Sequence, residues 1–334
     1  MKLKRAEPAK IRIPITLSET KQSNGSAMRV YRLENDAFTR ASLEQLDPDN
    51  NQIHLCILDF AELAAVGGKL GIGERQVDEC LNSRSSKFDS YDGFDFITII
   101  LPEAISQDLK PQRISIYFRA DLLVFVSDRS HFIDDIVRNT QTEGIKVHSL
   151  GKFFHLFFDK LTFDDREVLV AIEEEISSLE EEFIVSIKND LADYLITFRK
   201  RLLRLKQYYE QLFEISEAIE ENENNLIDKK ELRYFKILTN RINRLFTNVL
   251  NLRDYGTQVR EAYQAQLDIN LNKVMKIFTV VTSIFLPLTL IVGWYGMNIM
   301  MPEFHWEYGY PFVIVLCIVV AAGTLLYFKK NKWF

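Results

Sequence analysis

The chain has 334 residues, of which 26% are charged, and its formal net charge is -6 at pH 7. This balance disfavours nucleic acid as a partner, because nucleic-acid binding needs a basic face. The three cysteines (Cys56, Cys80 and Cys317) are far apart and the five histidines show no triad or metal spacing, which argues against a disulfide framework, a zinc site, an enzyme and a bound cofactor.

Residues 1–150 have the composition of a small mixed α/β domain. Four runs rich in β-branched and aromatic residues, bounded by polar clusters, predict strands. They are residues 53–59, 94–101, 113–118 and 122–127. Between the first two runs lies a glycine-rich stretch, residues 66–82, which lacks the glycine spacing of a phosphate-binding loop. It predicts a loop that leads into a short helix.

Residues 151–230 predict two long helices. Residues 112–286 contain no proline and few glycines, so the usual signals for turns are missing. Residues 163–188 are acidic, whereas residues 191–219 are rich in Arg and Lys. We expect an antiparallel pair of helices whose charges form salt bridges on solvated faces. A second interpretation is that the clustered carboxylates concentrate divalent cations near a pore.

Residues 231–276 predict a stalk helix that continues into a membrane. Apolar residues recur there at alternating steps of three and four, which is the pattern of a coiled-coil seam. The seam consists of Phe235, Leu238, Ile242, Leu245, Val249, Leu252 and Val259, with Gly256 in the same series. Such a stalk, feeding a single membrane helix, predicts self-association.

Two uncharged runs, residues 277–295 and 310–328, predict transmembrane helices. At ~1.5 Å per residue each run reaches about 28 Å, close to the hydrocarbon thickness of a bilayer. Lysines precede the first run and follow the second, in the tail 329–334, but the loop 299–309 contains no Lys or Arg. The positive-inside rule therefore predicts both termini on the cytoplasmic side of the cell's inner or plasma membrane. A buried hairpin in a soluble protein is the alternative.

A polar stripe follows the end of the stalk and the first membrane helix, which we place at residues 277–298. The stripe consists of Asn272, Met275, Thr279, Thr282, Leu286, Thr289 and Gly293. Polar side chains in a membrane helix normally face protein or water rather than lipid. We interpret the stripe as the lining of a pore, with Met275 and Leu286 as hydrophobic constrictions. Helix–helix packing is the alternative.

The segments around these spans resemble one family of transporters. They are Asn272-Lys273-Val274-Met275-Lys276, Phe285-Leu286-Pro287-Leu288-Thr289, Tyr295-Gly296-Met297-Asn298 and Tyr308-Gly309-Tyr310-Pro311. The chain is similar to the CorA magnesium transporters, most closely from residue 268 onward. The resemblance implies an α+β membrane protein that forms a homopentameric funnel. It would have a cytoplasmic α/β/α domain, a long helical arm, a stalk and two C-terminal transmembrane helices.

The resemblance also implies roles for particular residues. Gly296, Met297 and Asn298 match the Gly-Met-Asn motif of the family and would form the selectivity filter for hydrated Mg²⁺, with Co²⁺ and Ni²⁺ as further ions. Glu303 and Glu307 in the outer loop would attract cations. Mg²⁺ is then the transported ion, with a regulatory role as well, and no other cofactor is expected. The expected partners are further copies of the chain, divalent cations and the lipid bilayer.

One segment departs from the family pattern. In the family, gating is linked to Mg²⁺ held between subunits by acidic residues of the first domain and of the neighbouring stalk. Asp78 and Glu79 would supply the carboxylates of the first domain as a regulatory metal site, but the matching stalk segment has Lys236, Ile237 and Asn240 and no acidic residue. We therefore expect weaker regulation by cytoplasmic Mg²⁺ than in a typical member.

Two other functions are alternatives. A ZntB-like zinc transporter, with or without coupled protons, is the nearer one, although Met297 is retained in the motif and no Cys or His lies on the stripe. The other is a membrane-anchored coiled-coil scaffold without transport. That alternative predicts that Asn298 has no function in ion flux.

Overall fold

The computed structural model describes residues 28–42, 44, 52–102, 112–128, 130–185, 191–298 and 306–331. The chain divides into two compact units, Met1–Thr257 and Gln258–Phe334. The first unit contains a β-sheet with its covering helices, and the second contains the two apolar helical segments.

The first unit is built on a seven-stranded sheet. Its strands are β1 (Arg29–Glu34), β2 (Ala37–Ala41), β3 (His54–Leu58), β4 (Lys87–Tyr91), β5 (Phe94–Leu101), β6 (Gln112–Arg119) and β7 (Leu122–Ser127). Their order is β2-β1-β3-β7-β6-β5-β4, with β3 and β7 parallel and the other neighbours antiparallel. The four predicted strands are confirmed as β3, β5, β6 and β7.

Strands β1, β2 and β4 have no clear signal in the sequence. Strands β2 and β4 are the two edges of the sheet. All five residues of β4 are half-exposed, and only Phe38 of β2 is buried. A strand that is partly solvated on both faces needs no regular alternation of apolar residues, so sequence periodicity does not reveal it.

The glycine-rich stretch is more helical than its sequence suggests. Helix α1 (Phe60–Val66) leads through a 3-10 turn (Gly67–Leu70) to α2 (Glu74–Asn82). The backbone N–H of Asp59 donates to the Glu62 carboxylate at 3.0 Å in a capping box that starts α1. Gly71, at φ +74°, supplies the left-handed turn between the helical pieces. The predicted short helix corresponds to α2.

Helices cover both faces of the sheet. Leu63 of α1 and Cys80 of α2 join the apolar cluster on one face. The other face meets α3 (Ser130–Thr142) and α4 (Leu150–Leu161), which carries four fully buried phenylalanines. Ring centroids of Phe125 and Phe157 lie 4.8 Å apart, and those of Phe118 and Phe154 lie 5.0 Å apart. The expected α/β/α domain is thereby confirmed.

The acidic and basic segments form helices α5 (Asp165–Val185) and α6 (Leu191–Glu221). Arg201 Nη1 lies 2.9 Å from Glu175 Oε2, and Tyr194 also hydrogen-bonds that carboxylate. Asp165, at the start of α5, interacts with Tyr209, later in α6, so the two helices are antiparallel. One salt bridge of the expected kind, Arg201–Glu175, thus joins the two helices. Residues 186–190, between the two helices, lie outside the described residues.

Helix α7 (Lys229–Tyr295) runs unbroken for 67 residues, about 100 Å at 1.5 Å per residue. The seven apolar residues of the predicted seam are at most 5% exposed within this one chain, and Gly256 is half-buried. Phe235 packs against Phe154 of α4, with centroids 5.7 Å apart, and a Cβ on Gly256 would contact Phe198 of α6 at 3.8 Å. The seam is therefore filled by the chain's own helices, and it does not by itself indicate self-association.

Asp165 is expected to make the stability of the first unit depend on pH. It is 2% exposed beside the buried Tyr208 and Tyr209, and burial raises the pKa of its carboxyl to about 7. The folded chain then keeps a proton that the unfolded chain releases near pH 4, so the free energy of unfolding falls as pH rises toward 7. Asp165→Asn should remove most of this fall, about 3 kcal/mol between pH 5 and pH 8, as measured by thermal unfolding followed by circular dichroism.

Asp164→Asn is the matched control for that measurement. Asp164 is the adjacent residue and is half-exposed, and its main-chain carbonyl already accepts the first helical bonds of α5. This variant should keep the pH dependence of the wild type. A wild-type slope in Asp165→Asn would show that Asp165 is not the titrating group.

Candidate functional site

The second unit contains the candidate membrane helices. The last part of α7 and helix α8 (Gly309–Lys330) are both long and apolar enough to cross a membrane. Only 6% of the apolar window of each helix is buried within the chain. A helical hairpin in the core of a soluble protein would be mostly buried, so this exposure argues against that alternative.

The apolar part of α7 has three faces, each roughly 120° from the next for a helix of 3.6 residues per turn. One face is covered within the chain, where Val280 is 3% exposed and Ile284, Pro287 and Ile291 are half-buried. The predicted stripe lies on a second face, where Leu286 is 74% exposed. The third face consists of Val274, Phe278, Val281, Phe285 and Val292.

The stalk seam and the covered face are separated by an exposed stretch. From Val259 the steps of three and four residues pass through the half-buried Tyr263, Gln266 and Asn270. Residues 271–278 are then all exposed, and burial within the chain returns at Val280 on the covered face. The stripe lies on a different face from Val280.

Six of the seven stripe residues are exposed, and Thr279 is half-buried. Met275, the expected lower constriction, is 62% exposed. Asn272 is exposed on the same face, one turn before Met275. The stripe is therefore free for water or for another copy of the chain, and packing within the chain accounts for little of it.

The threonine hydroxyls of the stripe donate to the helix's own backbone. Thr279 and Thr289 each donate at 2.8 Å to the carbonyl four residues earlier, and Thr282 does so at 2.9 Å. Thr324 on α8 makes the same bond, which is common for threonine within a helix. Its consequence on the stripe is that each hydroxyl, with its proton used, presents lone pairs that accept hydrogen bonds.

The Gly-Met-Asn segment ends the helix. The backbone N–H of Gly296 donates to Val292 O at 2.9 Å, and that of Met297 donates to Trp294 O at 3.3 Å. A Cβ on Gly296 would lie 2.9 Å from the Val292 carbonyl oxygen, so a side chain there would displace the last turn. Asn298 follows this tightened turn, and its side chain is exposed.

The segment before α8 approaches the end of α7. An apolar cavity of 710 Å³ lies there, and Tyr295, Gly296, Trp306 and Cys317 contribute to its lining. Glu307, one of the two predicted loop carboxylates, is exposed next to Trp306. Glu303, the other, lies outside the described residues.

The proposed regulatory carboxylates are engaged within the first unit. Glu79 pairs with Lys87 at 3.1 Å and with Arg75 at 3.4 Å, and Asp78 accepts a hydrogen bond from Asn82 at 2.7 Å. Partial burial lowers the pKa of Lys87, but its hydrogen bonds to Asp89 and Glu79 outweigh burial and raise the pKa overall. Among the described residues, no group of three His, Cys, Asp or Glu side chains is arranged to hold a metal ion.

Sequence reasoning missed Lys87 as a partner of Glu79. The two residues belong to different elements, β4 and α2, and no periodic pattern relates them. Only the packing of α2 beside the sheet brings the two charges together. On the stalk, Ile237 is 51% exposed and the Asn240 amide donates to the Lys236 carbonyl at 2.8 Å.

Comparison with known proteins identifies the family that shares this architecture. The family described as CorA-like Mg²⁺ transporter protein matches residues 51–330. The cobalt/magnesium transport protein CorA of Thermotoga maritima is 26% identical over 275 residues, which cover 80% of this chain and 78% of that protein.

Two solved structures share the fold. The complete CorA magnesium transporter from Methanocaldococcus jannaschii has a TM-score of 0.80 at 18% identity, covering 93% of this chain and 99% of its own. The cytoplasmic domain of ZntB from Vibrio parahaemolyticus has a TM-score of 0.60 at 13% identity, covering 72% of this chain and 97% of its own. At these identities both likenesses describe the fold alone.

The stripe and the third face of α7 should differ in their contact with water. In a Cys317→Ser background, Thr282→Cys on the stripe should react with a charged, membrane-impermeant methanethiosulfonate roughly tenfold faster than Phe285→Cys on the third face, because only the thiolate reacts and it forms in water. Both positions are exposed in the single chain, so they form a matched pair. Equal slow rates, measured by mass spectrometry of protein in liposomes, would mean that the stripe is buried between copies.

Proposed function

Because this chain belongs to the family of CorA-like Mg²⁺ transporter proteins, we propose that it conducts Mg²⁺ across a membrane through a pore lined by the polar stripe of α7. The observation that carries this proposal is the exposure of the stripe while another face of α7 is covered within the chain. Hydroxyl and amide groups facing lipid are unfavourable, so this face belongs next to water.

The pore requires several copies of the chain around one axis. Two transmembrane helices cannot enclose a conduit, and cyclic symmetry closes one from identical subunits. The stalk seam is filled within each chain, so the copies would meet through other surfaces. The number five comes from the resemblance to the family.

The potential across the membrane supplies the driving force for this flux. With both termini cytoplasmic and the 299–309 loop outside, inward movement of a divalent cation gains about 4.6 kcal/mol per 100 mV, twice the value for a single charge. Glu303 and Glu307 would raise the local cation concentration at the outer mouth. No coupled chemical reaction is needed, in agreement with a family of transporters rather than enzymes.

The proposed filter suits an ion that keeps its water. Mg²⁺ holds its ligands in tight octahedral geometry and loses water reluctantly. The side-chain oxygen of Asn298, with the carbonyls of Gly296 and Met297, would accept hydrogen bonds from the water shell. The threonine oxygens of the stripe would do the same along the conduit, and Asn272 would form a second ring at the inner end.

Met275 and Leu286 are the proposed gate. Both are long, apolar and exposed on the same face as the threonines. Rings of such side chains narrow a conduit and can close it by expelling water. Small rotations of α7 would then turn these side chains toward the axis of the conduit or away from it.

Zinc transport is the second candidate, since the ZntB cytoplasmic domain shares the fold. That likeness does not extend to chemistry. No Cys or His lies on the stripe to attract a softer metal, and the Gly-Met-Asn motif is intact. These features favour Mg²⁺ over Zn²⁺, and a scaffold without transport is disfavoured by membership of a transporter family.

We expect Asn298→Ala to lower Mg²⁺ uptake at least about tenfold, because it removes a charge-assisted contact of ~1.5–3 kcal/mol from each subunit of the filter. Uptake is measured in proteoliposomes of the full chain with a trapped Mg²⁺ dye and an inside-negative potential. Hexaamminecobalt(III), a mimic of hydrated Mg²⁺, should block the wild type.

Thr324→Val serves as the control for Asn298→Ala. It removes a hydroxyl that bonds its own backbone in the same way, but on α8 rather than on the stripe, and it should leave uptake unchanged. Unaltered flux in Asn298→Ala would refute the filter. Zinc uptake that hexaamminecobalt(III) does not block would favour the zinc alternative.

We expect cytoplasmic Mg²⁺ to close the channel only weakly in the millimolar range, because Lys87 and Arg75 already compensate Glu79 and residues 236–240 of the stalk offer no carboxylate. Glu79→Ala should leave this weak response unchanged, as measured by currents against cytoplasmic Mg²⁺. Lys87→Gln should strengthen it, since Glu79 and Asp89 would lose their shared cation. Sharp closure that disappears in Glu79→Ala would contradict the proposal.

A further inference from the structure

A basic cleft lies in the first unit. It is formed where α4 ends and α5 begins, against the first third of α7, and its volume is 630 Å³. Its lining includes three arginines, Arg166, Arg241 and Arg244, against one carboxylate, Asp159. The cleft therefore carries a local excess of positive charge in a chain whose net charge is -6.

The single carboxylate of the cleft already forms an ion pair. Arg241 Nη1 lies 2.7 Å from Asp159 Oδ1. Within the described part of the chain, Arg166 and Arg244 have no ion pair and no side-chain hydrogen bond, and both are exposed. Two guanidinium groups therefore line the same cleft with their donors available.

Other groups in the cleft complement an anion. Asn248 is exposed and adds a neutral amide donor on the α7 side, whereas the Thr247 hydroxyl already donates to Asn243 O at 2.9 Å. Phe163, 64% exposed, offers an aromatic ring, and the Lys160 ammonium lies 5.1 Å from its centroid. The cleft thus combines two free guanidinium groups, one neutral amide donor and a ring with a cation beside it.

We propose that this cleft binds a small phosphate-bearing anion, held between Arg166 and Arg244. Guanidinium presents a planar fork of donors that matches phosphate oxygens in pairs. The concave walls exclude part of the solvent and so strengthen these contacts relative to an open surface. A size of 630 Å³ accommodates a diphosphate with an attached ring, and Phe163 is placed to contact such a ring.

Such a ligand would connect two elements of the first unit. Arg166 belongs to the first turn of α5, whereas Arg244 belongs to α7. Since α7 runs on to Tyr295, a bound anion would fasten the start of the arm to the helix that carries the stripe. The binding itself is independent of the proposed transport function.

The test measures binding of inorganic pyrophosphate and of ADP to the full-length protein by isothermal titration calorimetry, in Mg²⁺-free buffer at low salt. Both should bind to the wild type, and the double variant Arg166→Gln/Arg244→Gln should weaken both at least about tenfold, because charge-assisted hydrogen bonds are lost. Phe163→Leu should weaken ADP and leave pyrophosphate unchanged. Equal affinities of the two ligands would assign the site to inorganic phosphates.

Arg253→Gln is the control. Arg253 is an exposed arginine on α7 outside the cleft, so its loss removes the same charge and should leave both affinities unchanged. No heat of binding at millimolar ligand, or equal weakening in Arg253→Gln and the double variant, would overturn the proposal. A double variant that binds normally but changes oligomeric state would assign the arginines to contacts between copies and equally overturn it.

Discussion

Helix α7 is continuous from Lys229 to Tyr295, and within a bilayer the peptide groups of its apolar part must be satisfied inside their own segment. The stalk part and the apolar part are each packed on one face: Phe235 lies among the aromatic rings of α4, whereas Val280 and Ile291 lie on the covered face of the apolar part. Residues 271–278, which separate the two packed stretches, are all exposed. The polar stripe is one of the two faces that the packing of the apolar part leaves exposed.

The chemistry of that free face matches a hydrated divalent cation better than a bare one. Between Asn272 and Gly293 the stripe holds hydroxyl oxygens, thioether and aliphatic side chains and no carboxylate. A carboxylate would bind a divalent cation directly and retain it, whereas neutral acceptors hold the water shell weakly enough for the ion to move on. Because the threonine protons are donated to the backbone, the outward lone pairs would need no reorganisation as an ion moved through the proposed pore.

Sequence reasoning succeeded where a single physical rule acts alone. The uncharged runs identified both candidate membrane helices, and the β-branched runs identified the buried strands of the sheet. It failed where the partner matters: the periodicity of Phe235 to Val259 revealed a buried face but not that the chain's own helices fill it. The pairing of Glu79 with Lys87 was hidden for the same reason, since only tertiary packing joins α2 to β4. Edge strands such as β4, half-exposed throughout, carry no pattern to find.

Some charged side chains of the first unit are neutralised by an ion pair within the chain, and others are not. Glu175 has Arg201, and Glu79 has Lys87, so neither carboxylate needs an external cation for its charge. A metal ion would first have to displace those partners. The carboxylates of α2 would therefore bind it more weakly than their number suggests. In the cleft beside α7 positive charge is in excess, since Asp159 forms an ion pair with Arg241 alone. An arginine in a concave wall is less screened by water, and two guanidinium groups of this cleft have no ion pair among the described residues.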